Sequence, residues 1–329
     1  MRELIEGLPD QLRWAARTDV PEVPAATEAL VSGMGGSGIA GTIASVIAEH
    51  AGRRVSVHKS YGIPGWAAGH RPLVVAVSHS GNTEETLSAV DAAAGAGLDI
   101  AAVTTGGTLA SRAADAGWAV LLPETGPQPR AAVGNLAGGT LRVLEAAGIL
   151  PPQSADLEEA ADVVEMLIGG VGPALAADLA DALAGRIAVI YGGSGIGEVA
   201  ASRWKTQINE NGKAPAYWSV LPELDHNEIV GWTAWPEVSA AAVGIVWLHD
   251  SGDHPRVALR SRITRELIED GTGIAGEVVS TGSGPLARLF SLMVIGDLVS
   301  VAIAERAGAD PMPVAVIEDL KKRLAQEEA

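Results

Sequence analysis

The chain alternates between two hydrophobic periods. Over residues 54–57, 73–77, 100–104 and 119–122 the apolar positions form short unbroken runs of strand length, whereas 84–94 and 131–147 repeat them at helical spacing. Such alternation predicts an α/β fold, a parallel sheet wrapped by helices. After Pro151 and Pro152 the pattern turns helical over 156–183. A strand at 187–191 then opens a second alternating unit, with strands over 238–248 and 273–280 and helices over 256–269, 286–304 and 314–326. The proline pair is the expected boundary between two doubly wound domains, 1–150 and 151–329.

An internal repeat supports a duplication. Gly35-Gly36-Ser37-Gly38-Ile39 returns as Gly192-Gly193-Ser194-Gly195-Ile196, each time after an apolar run and about half a chain apart. Residues 29–48 carry no charge over the length of a membrane span, but Gly33, Gly35, Gly36, Gly38 and Gly41 interrupt them, which fits a glycine-rich turn between two buried elements. The first 17 residues are charged and amphipathic, unlike a secretory signal, so a cytoplasmic protein is expected.

The length, 329 residues, suits two domains with sizeable cores. Forty acidic against 23 basic residues leave a formal charge of -17, a field that repels nucleic-acid backbones and anionic membranes. Neither is an expected partner. A small anionic substrate would have to be held by local N–H dipoles and hydroxyls. The absence of cysteine excludes disulfides, thiolate metal sites and a cysteine nucleophile, and the seven histidines show no His-x3-His pairing, so no metal is expected. Gly36-x-Gly38-x-x-Gly41 fits a dinucleotide spacing, but no acidic residue stands at the end of the next strand for a ribose, and no nucleotide cofactor is expected.

The most informative segment runs from the apolar stretch 73–77 through Ser78-His79-Ser80-Gly81-Asn82-Thr83 into a helix beginning at Glu84. Ligands of open α/β sheets bind at such carboxyl ends. Ser78, Ser80 and Thr83 offer hydroxyl donors, Gly81 permits close backbone approach, and the helix N-terminus adds partial positive charge suited to phosphate. An ordinary N-cap would explain one hydroxyl; three are surplus. Glu210, just before Asn211-Gly212, reads on its own as a solvated last-turn acid, His226 as a structural histidine and Arg130 as a surface cation.

Taken together, these pieces resemble a known family. The paired glycine loops, the Ser-x-Ser-Gly-Asn-Thr-Glu-Glu-Thr turn, Pro129-Arg130, the run from Arg203 to Asn211 and Leu224-Asp225-His226-Asn227-Glu228 are similar to the bifunctional phosphoglucose/phosphomannose isomerases, over nearly the whole chain. The resemblance implies two sugar isomerase (SIS) domains and a sugar-phosphate substrate. It implies that Ser78, Ser80 and Thr83, with Gly36 and Ser37, hold the phosphate, and that Pro129 and Arg130 lie against the sugar and its developing enediolate. Glu210 matches the base, and His226 the residue that helps open the ring, supplied across a homodimer interface. Lys321 matches a second ring-opening group, with Lys322 beside it as the alternative. No cofactor is implied. The sequence departs from the family at His79, where an aromatic is more usual, and at Gly41-Thr42 in place of Gly-Asp.

The chemistry expected is an aldose–ketose isomerisation of glucose 6-phosphate, and of mannose 6-phosphate, to fructose 6-phosphate through a cis-enediolate. One carboxylate, Glu210, can move the proton between C2 and C1, while the planar Arg130 fork can serve both enediolate oxygens as their charge grows. Four of the eight tryptophans, Trp204, Trp218, Trp232 and Trp235, cluster around Glu210 and His226, as core or dimer-interface aromatics do. Two alternatives share the phosphate turn: a non-catalytic sugar-phosphate-binding regulator, and a SIS isomerase or deaminase acting on another sugar phosphate.

Overall fold

A computed structural model describes the whole chain except residues 124, 125, 127, 325, 328 and 329. Nine strands form two parallel sheets among the described residues. The first contains β1 (Ala29–Ser32), β2 (Val55–His58), β3 (Leu73–Ser78), β4 (Ile100–Thr104) and β5 (Ala119–Leu121), ordered β2-β1-β3-β4-β5. The second contains β6 (Ile187–Gly193), β7 (Ala216–Leu221), β8 (Val243–His249) and β9 (Gly273–Val279), ordered β7-β6-β8-β9. In both, the chain leaves the first strand toward one edge and returns to its other side, so β1 corresponds to β6 and β3 to β8.

Alternate residues of each central strand face different cores, as burial on both faces requires. Val75 and Val77 of β3 join a large core shared by helices of both halves: Leu8–Arg17, Gly35–His50, Val133–Ala146, Ser154–Gly169, Ile196–Glu210 and Pro285–Ala307. Val74 and Ala76 instead meet Val90, Leu98 and Leu109 on the outer face, and Val189, Tyr191, Ile245 and Trp247 form the equivalent outer cluster of the second sheet. Pro285–Ala307 is long and apolar enough to cross a membrane, but its apolar window is 89% buried inside the fold, the environment of a core helix.

Three segments differ from their sequence patterns. The helical stretch 156–183 is two helices, Ser154–Gly169 and Gly172–Leu183, bent by 66° where Gly170 breaks the ladder. Strand structure expected from 238 begins only at Val243, because Pro236, suited to a first helical turn, and the run Ser239-Ala240-Ala241-Ala242 make a short helix, Pro236–Ala242. The last helix is Ala315–Leu324; of its expected span, residue 325 lies outside the described residues. Edge strand β7, with Tyr217 and Trp218 exposed, is a strand the sequence pattern does not predict.

The halves are joined by buried polar bonds as well as apolar contact. Arg203, on Ile196–Glu210, forks onto the Asp297 carboxylate of Pro285–Ala307, with Nε–Oδ1 at 3.0 Å and Nη2–Oδ2 at 2.7 Å. The same Nη2 donates to the carbonyl of Arg130 at 3.0 Å. Burial pushes the Asp297 carboxyl up, and the Arg203 charge and hydrogen bonds oppose that. Removing the cation alone would strand a buried carboxylate. Arg203→Met is therefore expected to cost about 3–5 kcal/mol in urea unfolding, whereas Arg203→Met combined with Asp297→Leu recovers most of that loss.

Candidate active site

The first sheet changes winding direction between β1 and β3, which opens a crevice beyond their carboxyl ends. The glycine loop entering helix Gly35–His50 and the turn 78–83 entering helix Glu84–Gly95 flank it. Ser37 Oγ accepts the His79 N–H at 3.1 Å, tying the loops together. Ser78 Oγ lies 2.9 Å from Thr83 Oγ1 and accepts the Gly81 N–H at 3.1 Å, while Ser80 Oγ accepts the Asn82 N–H at 3.2 Å. Thr83 is the N-cap residue, but its hydroxyl does not cap the helix, so the surplus hydroxyls are not spent on an ordinary cap. Gly81 has φ 67°, and a Cβ there would come within 1.8 Å of the Gly106 carbonyl, so only glycine fits. His79 is buried, and burial pulls its pKa down, favouring the neutral ring.

The duplicated glycine loop has a different neighbour. In the second sheet the turn after β8 reads His249-Asp250-Ser251-Gly252-Asp253-His254, placing Ser251-Gly252 where the first sheet has Ser80-Gly81. Asp253 lies against Gly193 and accepts the Asp250 N–H at 3.2 Å. Asp250 in turn accepts from the Ser280 hydroxyl and from Arg288 Nε, both at 2.8 Å. Carboxylates thus fill the crevice where an anion would have to sit. Burial, helped by the Asp250 charge and opposed by the Asp250 N–H and Arg288, raises the Asp253 carboxyl to about 6.

A cleft of about 200 Å³ adjoins the first glycine loop. Arg203, Thr206, Gln207 and Glu210 line it from one face of helix Ile196–Glu210, at i, i+3, i+4 and i+7. Gly35, Gly36, Lys59 and Arg130 close the other side. A Cβ on Gly36 would stand 2.9 Å from the Pro129 carbonyl, so glycine lets this helix touch the 3-10 turn Pro129–Ala131. Glu210 is the last residue of its helix, its Oε2 is 3.7 Å from Arg130 Nη1, and its side chain is 29% exposed, open to a small ligand.

Arg130 is buried, not a surface cation, and its donors are largely committed. Nε donates to Asn211 Oδ1 at 2.7 Å, Nη1 to Gln128 Oε1 at 2.8 Å, and Nη2 to the carbonyls of Pro311 and Met312 at 2.7 and 2.9 Å. The two-armed approach to an enediolate expected from sequence gives way to a single edge, Nη1, facing Glu210. Burial lowers the guanidinium pKa and Glu210 raises it. Lys213, at φ 53°, sends its ammonium to the carbonyls of Glu210 and Pro313, both at 2.5 Å, fastening segment 311–313 beside the helix end.

His226 and Lys321 do not line this cleft. His226 is exposed on the 3-10 turn Glu223–His226. That turn is anchored by Asp225, which accepts from Arg260 Nη1 at 2.9 Å and Thr264 Oγ1 at 2.7 Å, and by Glu228, which accepts from the buried Tyr191 hydroxyl. Lys321 is exposed on Ala315–Leu324, one helical turn beyond Ile317, which helps line an apolar groove reaching Glu210. Sequence reasoning missed Lys59, Gln128 and Asn211. Asn211 was legible as a helix stop and as the end of the run from Arg203, without a role, and Lys59, whose ammonium is held below the ordinary lysine value by desolvation, sits in no motif.

Two parallel sheets wrapped by helices define an α/β protein of the SIS type. Residues 174–324 match the family model described as the bacterial phospho-glucose isomerase C-terminal SIS domain. The chain is 40% identical to a bifunctional phosphoglucose/phosphomannose isomerase of Caldicellulosiruptor bescii, over 90% of this chain and 89% of that one. It is 35% identical to the Aquifex aeolicus protein of the same name, over 98% and 97%. In three dimensions it is similar to tagatose-6-phosphate ketose/aldose isomerase from Escherichia coli, with a TM-score of 0.68 at 15% identity, covering 94% of this chain and 93% of that one. The chain belongs to the bifunctional phosphoglucose/phosphomannose isomerase family.

The filled second crevice has a pH signature. Because the folded Asp253 carboxyl titrates near 6, above its ordinary 3.8, the folded state holds the proton more tightly and loses stability as pH rises through that window. Asp253→Asn keeps the acceptor and removes the charge. Thermal melts are expected to show the variant more stable than the parent at pH 7, with the gain shrinking to nothing by about pH 4.

Proposed function

We propose that the protein is a cytoplasmic, cofactor-free aldose–ketose isomerase that interconverts glucose 6-phosphate and mannose 6-phosphate with fructose 6-phosphate. The observation that carries this is the Glu210 carboxylate, 3.7 Å from Arg130 in a cleft lined by the glycine loop that Ser37 ties to the hydroxyl-rich turn. The first half, 1–150, supplies the phosphate site: Ser78, Ser80, Thr83, Gly36 and Ser37 offer hydroxyls and helix N-terminal amides to the dianion, so that no bulk positive charge is needed. The second half, 151–329, supplies Glu210, on the far wall from Gly36.

With the phosphate fixed, the sugar's C1 and C2 extend into the cleft toward Pro129, Arg130 and Glu210. Glu210 removes the C2 proton of the open-chain aldose, charge grows on the carbonyl oxygen, and Arg130 Nη1 meets that charge as it forms. Return of that proton to C1, with the hydroxyl proton passing from O2 to O1, gives the ketose. Glucose and mannose 6-phosphates differ only at C2 and share one planar enediolate, so one base serves both where the cleft leaves room for rotation about C2–C3 to turn either C2 hydrogen toward it.

Ring opening precedes this and falls to His226 and Lys321, with Lys322 the alternative. In this proposal a homodimer delivers the partner's His226 to the cleft. Its exposure and the large apolar side chains near it in sequence, Val230 at 68% and Trp235 at 76% exposed, are consistent with a covered surface.

Proton NMR of each aldose 6-phosphate incubated in deuterated water is expected to show fructose 6-phosphate carrying deuterium at C1, and Glu210→Gln to lower the rate by about a thousandfold while phosphate binding persists. Binding of the sugars without product or exchange would favour a regulator, and turnover only of other sugar phosphates would favour another SIS enzyme.

A further inference from the structure

Five residues around the cleft form a closed ring of hydrogen bonds. The Arg130 carbonyl accepts from Arg203 Nη2, which also pairs with the Asp297 carboxylate. The Asp297 carbonyl accepts from Ser300 Oγ at 2.6 Å, Ser300 Oγ accepts from Asn211 Nδ2 at 3.0 Å, and Asn211 Oδ1 accepts from Arg130 Nε. The ring returns to its start through one side chain that holds Arg130 by its guanidinium rather than by its backbone. That side chain is Asn211, fully buried and next in sequence to Glu210.

We propose that Asn211 is a positioning residue for the isomerisation: it fixes the plane of the Arg130 guanidinium so that the Nη1 edge faces Glu210 and the reacting oxygens. This rests on the isomerase reading above. An arginine side chain rotates about its Cδ–Nε bond unless Nε is held, and Nε has one hydrogen, given to Asn211. The Pro311 and Met312 carbonyls hold Nη2 and Gln128 Oε1 holds Nη1, all from segments outside the helix that carries Glu210. The acceptor on Nε is the hydrogen bond that ties the guanidinium plane to that helix end. Asn211 is itself held, because its Nδ2 is committed to Ser300 and its amide cannot flip without breaking both bonds. Placing the clamp on the residue after the base makes the Arg130–Glu210 spacing a property of one helix end.

Asn211 touches no reacting atom in this scheme, so its loss should lower kcat through Arg130 and leave phosphate-dependent binding alone. Asn211→Leu, near in volume, is expected to lower kcat for fructose 6-phosphate about a hundredfold, with KM and competitive inhibition by inorganic phosphate changed less than about threefold. Asn211→Asp keeps an acceptor for Nε and is expected to retain at least about a tenth of the parent kcat. In an Arg130→Lys background, which has no Nε to hold, Asn211→Leu is expected to cost no more than about threefold. If Asn211→Leu does not fold, Ser300→Ala, which frees Nδ2, replaces it and is expected to lose about tenfold in kcat only when Arg130 is present.

Equal losses in both backgrounds, or equal losses in Asn211→Leu and Asn211→Asp, would overturn the proposal in favour of a purely structural side chain, as would an unchanged kcat in Asn211→Leu. A parent protein without isomerase activity would overturn the isomerase reading itself, and with it this role.

Discussion

The Arg203–Asp297 pair is the constraint on which the site depends. Both groups are almost completely buried, and one arm of the same guanidinium reaches the Arg130 carbonyl in the other half of the chain. A buried ion pair is a poor source of net stability, because taking two charges out of water costs about as much as their attraction returns. Its value here lies in placement. Apolar contact along helix Ile196–Glu210 would tolerate small slides against Gly35–His50 and the Pro129–Ala131 turn, whereas two directional bonds to Asp297 and one to a carbonyl tolerate few. Glu210, seven residues beyond Arg203 on the same face, is placed by the same bonds.

The two equivalent crevices are lined differently. Both sheets place a glycine loop beside the turn that follows their third strand in chain order. In the first the turn carries hydroxyls, and in the second two carboxylates, one of them paired with Arg288 of helix Pro285–Ala307. An anion entering the second crevice would meet Asp253, whereas one entering the first meets N–H groups and hydroxyls. The two halves differ accordingly: the first carries the hydroxyl-rich turn, and the second presents the helix face that bears Glu210. With a net charge of -17, the bulk field gives an anion no help in reaching either crevice.

Much of the fold was legible because burial on both faces leaves unbroken apolar runs at β3, β4, β6 and most of β8, and long helices show their period. What escaped had physical reasons. The edge strand β7 is half exposed and set between Pro215 and Pro222, and the 236–242 helix looks like strand because Val238 and the alanines continue an apolar stretch while Pro236 starts the helix. At the site, the hydroxyl turn and the Arg130 and Glu210 motifs were visible as residues, but not the state of their donors. The commitment of Arg130 to Asn211 and to the Pro311 and Met312 carbonyls depends on contacts across 81 to 182 positions of sequence, which no local pattern encodes. The carboxylates of 249–254 were in plain view beside the repeated glycine loop. They acquire meaning only once the topology pairs that turn with 78–83.

The central claim is a division of labour: phosphate in the first half's crevice, proton transfer from the second half's helix end. A crystal structure of the protein with fructose 6-phosphate bound tests it most directly. The account predicts the phosphate within hydrogen-bond distance of Ser78, Ser80 and Thr83, with C1 and C2 beside the Glu210 carboxylate and their oxygens at Arg130 Nη1. Phosphate seated instead against Gly193 and the 249–254 turn, or a sugar directed away from Glu210, would contradict it.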